Sequence, residues 1–146
     1  MEQEEFLKKL ETELKISKNS KYTIRNYLYA NKELISFSNK FPDQITIDNV
    51  KTYLAEKMQD KSASSTILFL AAIKYAHSNI LDKDPTSKIK RPKKETKLPQ
   101  TLTKEEVKKL LFSIANEKSK LMASLIYAAG LRVSELTNLK IKDLNF

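Results

Sequence analysis

One glycine, Gly130, and four prolines are the strongest backbone breakers in this chain of 146 residues. Between them apolar side chains recur three and four positions apart, the spacing of one face of an α-helix. Leu, Lys and Glu, which are good helix formers, are abundant. The pattern predicts an all-α chain; no stretch is assigned to a strand, and no internal repeat is evident.

Phe6, Leu7, Leu10 and Leu14 place a first amphipathic helix over about Gln3 to Ile16. Polar Ser17 to Ser20 offers an N-cap for a second helix, about Lys21 to Asn39. Its buried stripe is expected to hold Ile24, Tyr27, Leu28, Leu34, Ile35 and Phe37. Pro42 and Asp43 break the chain, and Thr46 reads as the N-cap of a third helix with Val50, Tyr53 and Leu54 inward. After the polar turn at Lys61, a fourth helix runs from Ser64 to about Ile80. It is apolar nearly all round between Ile67 and Tyr75, which predicts the centre of a bundle. The only histidine, His77, lies on this helix and reads as structural. Asp84-Pro85 closes the unit, so residues 1–82 form a four-helix bundle.

Charge divides the chain differently. Residues 1–82 carry twelve basic and eleven acidic side chains, whereas residues 83–100 carry seven basic, two acidic and three prolines. That short stretch supplies +5 of a net +9 and has no apolar periodicity, so it reads as an extended basic linker. Thr103-Lys-Glu-Glu106 then fits a capping box, Val107, Leu110, Leu111 and Ile114 give one apolar face, and an apolar run follows from Leu121 to Ala129. In residues 101–146 the apolar positions around Leu111, Leu125, Leu136 and Leu139 call for more partners than so short a unit supplies.

A pI near 9.6 favours a polyanionic partner or an anionic membrane surface. No apolar run reaches the twenty or so residues that span a bilayer, and the acidic start Met-Glu-Gln-Glu-Glu lacks the basic and apolar regions of a signal peptide. With no cysteine there are no disulfides and no thiolate metal site. The expectation is a cytoplasmic chain with no membrane association, no metal and no cofactor.

The corner at Gly130 carries the sharpest chemical signal. Glycine adopts the left-handed conformation at little steric cost, so Gly130 reads as the turn between two helices, with Arg132 in the first turn of the second and Glu135 three residues on. From spacing alone two readings stay open. One is a capped helix with a surface ion pair worth less than about 1 kcal/mol. The other is an anion site, because a guanidinium is permanently charged and its planar fork matches two phosphate oxygens.

The stretch Ala129-Gly-Leu-Arg-Val-Ser-Glu-Leu136, followed by Leu139 and Asp143, resembles the first catalytic box of the tyrosine recombinases, the Xer and phage-integrase family. Ala129 stands where that family often has Thr. The likeness extends along the chain: Ser20, Thr23, Tyr27, Leu34 and Phe37, then Ser65-Thr-Ile, resemble the family's N-terminal core-binding domain. Asp84-Pro85 with Lys90-Arg-Pro-Lys resembles its interdomain linker, and Leu98-Pro99 with Thr103-Lys-Glu-Glu-Val resembles the opening of its catalytic domain. The resemblance implies a core-binding, SAM-like bundle over 1–82, a linker over 83–100 and the start of a catalytic domain over 101–146. It implies DNA breakage and rejoining through a phosphotyrosine, with Arg132 on the scissile phosphate and Glu135 in support.

In that family a hairpin lysine, a His-x-x-Arg box and the tyrosine nucleophile come later than the arginine box. No His-x-x-Arg occurs in this sequence, and its six tyrosines precede the box, so the chain alone is expected to be inactive in cleavage. Double-stranded DNA is the expected partner, with homo-oligomers on DNA for a full-length parent. The helices that face the major groove in the family nominate Lys18, Lys21, Thr23, Arg25 and Asn26, and Ser62, Ser64, Ser65 and Lys74. The linker adds Lys88, Lys90, Arg91, Lys93, Lys94 and Lys97. The competing readings are a naturally short, non-enzymatic DNA-binding regulator and a helical module for RNA or acidic proteins.

Overall fold

Seven α-helices and two short 3-10 turns make up the secondary structure of the computed structural model, which describes residues 1–93 and 100–143. The helices are α1 Gln3–Ile16, α2 Lys21–Ser38, α3 Ile47–Lys57, α4 Ala63–Leu81, α5 Lys104–Ser113, α6 Glu117–Ala129 and α7 Val133–Asn138. Among the described residues there is no strand, and no helix is long and apolar enough to cross a membrane. The chain divides into two compact units, Met1–Thr96 and Lys97–Phe146.

Local chemistry sets most helix ends. Ser20 caps α2, its Oγ accepting from the Thr23 N–H at 3.1 Å, and Ser62 caps α4 through the Ser65 N–H at 3.2 Å. Thr46 with Asn49 and Thr103 with Glu106 form reciprocal capping boxes on α3 and α5. Asn39 and Asp82 end α2 and α4 in the left-handed conformation, at φ 49° and 50°. Asn and Asp are the non-glycine residues that tolerate it best.

In the first unit α2 and α4 form the spine. One face packs with α3 into a core of Leu34, Val50, Tyr53, Phe69, Leu70 and Ile73, with the Tyr53 and Phe69 rings stacked at 4.7 Å. The other takes α1, burying Phe6, Leu10 and Leu14 against Ile35 and Ala76. The stripe expected on α2 is confirmed at Leu34 and Ile35, while Ile24, Tyr27, Leu28 and Phe37 are partly buried. Helix α4 is less enclosed than its composition suggested, since Leu68 is 41% exposed.

Two polar groups sit inside this core. Asn31 Nδ2 donates to the Tyr27 carbonyl at 2.9 Å and the Ala72 carbonyl at 3.2 Å, tying α2 to α4 where apolar side chains alone would allow slippage. His77 lies edge-on to the Phe6 ring at 5.3 Å, with Nδ1 3.0 Å from the Ile73 carbonyl. Burial pushes its imidazole below the ordinary value of 6.5, against the opposing pull of the Ile73 and Pro42 carbonyls and Asp84. The unfolded chain therefore binds a proton at His77 that the folded chain resists. Stability should fall as the pH drops below about 6.5, before carboxylates titrate. Thermal melts at pH 7 and pH 5.5 check this: His77→Phe should flatten the difference, and an unchanged difference would assign it elsewhere.

The basic stretch starts as part of the bundle. Pro85 and Thr86 are buried, and Ile89 packs against the α2–α3–α4 core. Residues 83–89 thus are not extended as the composition suggested, because one isoleucine without periodicity still gains from burial.

In the second unit only Val107 and Leu136 are buried among the described residues. Leu110, expected on an inner face, is exposed, as are Phe112, Leu121, Tyr127 and Val133. The Lys120 ammonium lies over the Phe112 ring at 5.1 Å.

Candidate functional site

Helix α6 ends at Gly130 with φ 65° and ψ 24°. A Cβ built there would meet nothing within 4 Å, so the position needs glycine for its backbone conformation and not for space. Two residues later Arg132 adopts an extended conformation as the N-cap of α7, one position earlier than the first helical turn where the sequence placed it.

Glu135 holds Arg132 with both carboxylate oxygens. Oε2 accepts the Arg132 backbone N–H at 2.8 Å and Oε1 accepts from Nη1 at 2.9 Å, while the Glu135 N–H donates to the Arg132 carbonyl at 3.0 Å. The backbone N–H first, and then the guanidinium, keep the Glu135 carboxyl below the usual carboxylate range. The arginine side chain is 82% exposed, so screening leaves the pair little weight in stability. Its effect is orientation. One edge of the guanidinium is engaged by Glu135, and its other N–H groups have no hydrogen-bond partner among the described residues.

The other candidates fall into separate places on the first unit. Asn26 from α2 and Ser65 from α4 line one open cavity of about 500 Å³, together with Tyr22, Tyr29, Lys57 and Lys61. The sequence reading did not nominate these last four. The spacing Tyr22, Asn26, Tyr29 does mark one face of α2, opposite its core stripe, and was the available signal. Arg25 lies over the Tyr22 ring at 5.4 Å. Thr23 and Ser65 hydroxyls are engaged with the caps, at 2.9 Å from Ser20 Oγ and 3.0 Å from Ser62 Oγ. Lys18 sits in the left-handed turn after α1 at φ 52°, and Lys21 and Ser64 are exposed at the starts of α2 and α4.

Lys74, by contrast, is away from that cavity and pairs with Asp84 at 3.3 Å. It shares a smaller cavity with Arg91. Lys88, Lys90 and Lys93 are exposed, whereas Lys94 and Lys97 lie outside the described residues. Among the described residues no group of three or more His, Cys, Asp or Glu could hold a metal ion.

Residues 6–86 match the family model described as phage integrase, N-terminal SAM-like domain, and residues 100–146 match that of the phage integrase family. The tyrosine recombinase XerA of Pyrococcus horikoshii is 38% identical over 143 residues, covering 97% of this chain and 49% of that protein. A tyrosine recombinase XerD of Oceanobacillus iheyensis is 39% identical over 98 residues, covering 61% of this chain and 33% of that one. The crystal structure of XerA recombinase superposes with a TM-score of 0.54 and 28% identity, over 99% of this chain and 52% of that one. The chain spans about half the length of the XerA relatives it matches.

Proposed function

The chain belongs to the phage integrase family, and we propose that it serves site-specific DNA recombination as the part that grips duplex DNA and presents Arg132 to the phosphate to be cut. In the reaction a tyrosine hydroxyl attacks a DNA phosphodiester. The phosphotyrosyl bond forms as the 5′ hydroxyl leaves, and attack by a 5′ hydroxyl of another strand reverses the step. The bond is exchanged and not hydrolysed, so no nucleotide triphosphate is consumed. Negative charge on the non-bridging oxygens has to be met by fixed cations, and a pre-oriented guanidinium meets it without reorganising during the step.

The observation that carries this reading is the state of Arg132: outward, and paired at one edge with Glu135. None of the six tyrosines follows the arginine and no His-x-x-Arg occurs in the sequence, so neither the nucleophile nor that partner is assigned to a residue of this chain. The first unit and the basic stretch bind the duplex: α2 and α4 present side chains to a groove while the lysines and arginine of 88–97 meet phosphates.

Fluorescence anisotropy against a labelled duplex tests this. Six phosphate contacts give a slope of log affinity on log salt of about −5. A slope near zero removes the basic stretch from the interface. With a nicked suicide substrate no covalent adduct is expected, and an adduct surviving denaturation would show that one of these six tyrosines is a nucleophile after all.

A further inference from the structure

Where residues 84–91 fold against α4, Lys74, Ser87 and Arg91 open into one cavity of about 120 Å³, a predominantly polar space that Asp84, Thr86, Leu70 and Ile89 also line. It is well below the roughly 300 Å³ at which pockets for drug-sized ligands begin. We propose that this cavity is a single-phosphate site, taking one phosphodiester of the duplex backbone between the ammonium of Lys74, the hydroxyl of Ser87 and the guanidinium of Arg91. The proposal rests on the DNA-binding reading above and narrows it to one seat.

Asp84 is the apparent objection, and its hydrogen bonds answer it. Oδ1 accepts from the Thr86 N–H at 2.9 Å and from the Thr86 hydroxyl at 2.6 Å, and Oδ2 faces Lys74 Nζ at 3.3 Å. Both oxygens are occupied within the protein. Burial raises the Asp84 carboxyl, but the Thr86 donors and Lys74 outweigh it and hold it below the usual range. Asp84 is therefore a positioning residue. It closes the turn whose next bonds run from the Ser87 N–H to the Asp84 carbonyl and from the Ile89 N–H to the Thr86 carbonyl. The same carboxylate pairs with the Lys74 ammonium at the cavity, while the Lys74 side chain stays 54% exposed and keeps donors for an incoming anion. Burial of Thr86 and packing of Ile89 fix the turn two residues before Arg91.

The sequence separates Lys74 from Arg91 as a helix residue and a linker residue, which predicts independent phosphate contacts. A shared cavity predicts coupled ones. The test is a double-mutant cycle on the whole chain with Lys74→Gln and Arg91→Gln, read by duplex anisotropy across salt. Each single substitution should weaken binding roughly tenfold at low salt and make the salt slope shallower by about 1. The pair together should cost little more than either alone, because one phosphate is lost once. Effects that multiply to about a hundredfold, with the slope shallower by about 2, overturn the shared site and leave the duplex-binding reading standing. Inorganic phosphate, followed by amide NMR shifts of Ser87 and Arg91, separates the two failures. Saturable shifts in the wild type that vanish in Lys74→Gln support the site even if the duplex is not bound. No shifts, or shifts indifferent to both substitutions, overturn it.

Discussion

Arg132→Ala is expected to abolish strand cleavage while leaving duplex affinity within about tenfold of wild type, since about one phosphate contact is removed from an interface of several. The assay uses a chimera in which this chain replaces the matched stretch of the Pyrococcus horikoshii recombinase. Removing one pre-oriented donor from a developing oxyanion typically costs a hundredfold to a thousandfold in rate, about 3–4 kcal/mol of transition-state stabilisation. A fully charged guanidinium belongs at or above the upper end. Arg132→Lys should recover part of the rate, because the charge returns without the planar fork. Glu135→Gln should fall between, as its amide can still accept from the Arg132 N–H but no longer offers a charged partner to Nη1. Cleavage by Arg132→Ala within tenfold of the parent chimera would remove this arginine from the reacting phosphate.

The second large effect concerns folding. Phe6→Ala removes a fully buried ring that closes α1 onto the spine and meets His77 edge-on. Phe-to-Ala changes at such sites cost about 3–5 kcal/mol, from lost transfer energy and from the cavity left behind. Set against a typical domain stability of about 5–15 kcal/mol, that is enough to leave the first unit marginal. Urea unfolding followed by circular dichroism checks it, and a loss under 1 kcal/mol would mean that α1 packs loosely. Duplex affinity should fall in parallel at temperatures where the unit melts, because α2 and α4 keep their places only while the core is intact.

Much of the molecule was legible beforehand because much of it is decided locally. The first helix is found over Gln3–Ile16 as spaced, and Thr46 and Thr103 cap the helices they were assigned to. Gly130 takes the positive φ that a corner between α6 and α7 requires. The ion pair between Arg132 and Glu135 followed from three-residue spacing. The family resemblance led to the expectation of a phosphate role for that corner, and the matches to residues 6–86 and 100–146 bear out the recognition of the family. Less legible was Leu110: its helical period is correct, but burial depends on what packs against the face, and it is exposed among the described residues.

Helix placement, capping, the glycine corner and the uneven spread of charge were set by the sequence itself, through interactions that reach no further than one helical turn. Tertiary structure alone decided that Ile89 would draw the start of a basic stretch onto α4, that Asn31 would bridge α2 and α4 across 41 positions, and that Lys74 would meet Asp84. These outcomes depend on surfaces brought together by chain closure, where the gain from burying a group is set by its neighbours in space and not by those in sequence.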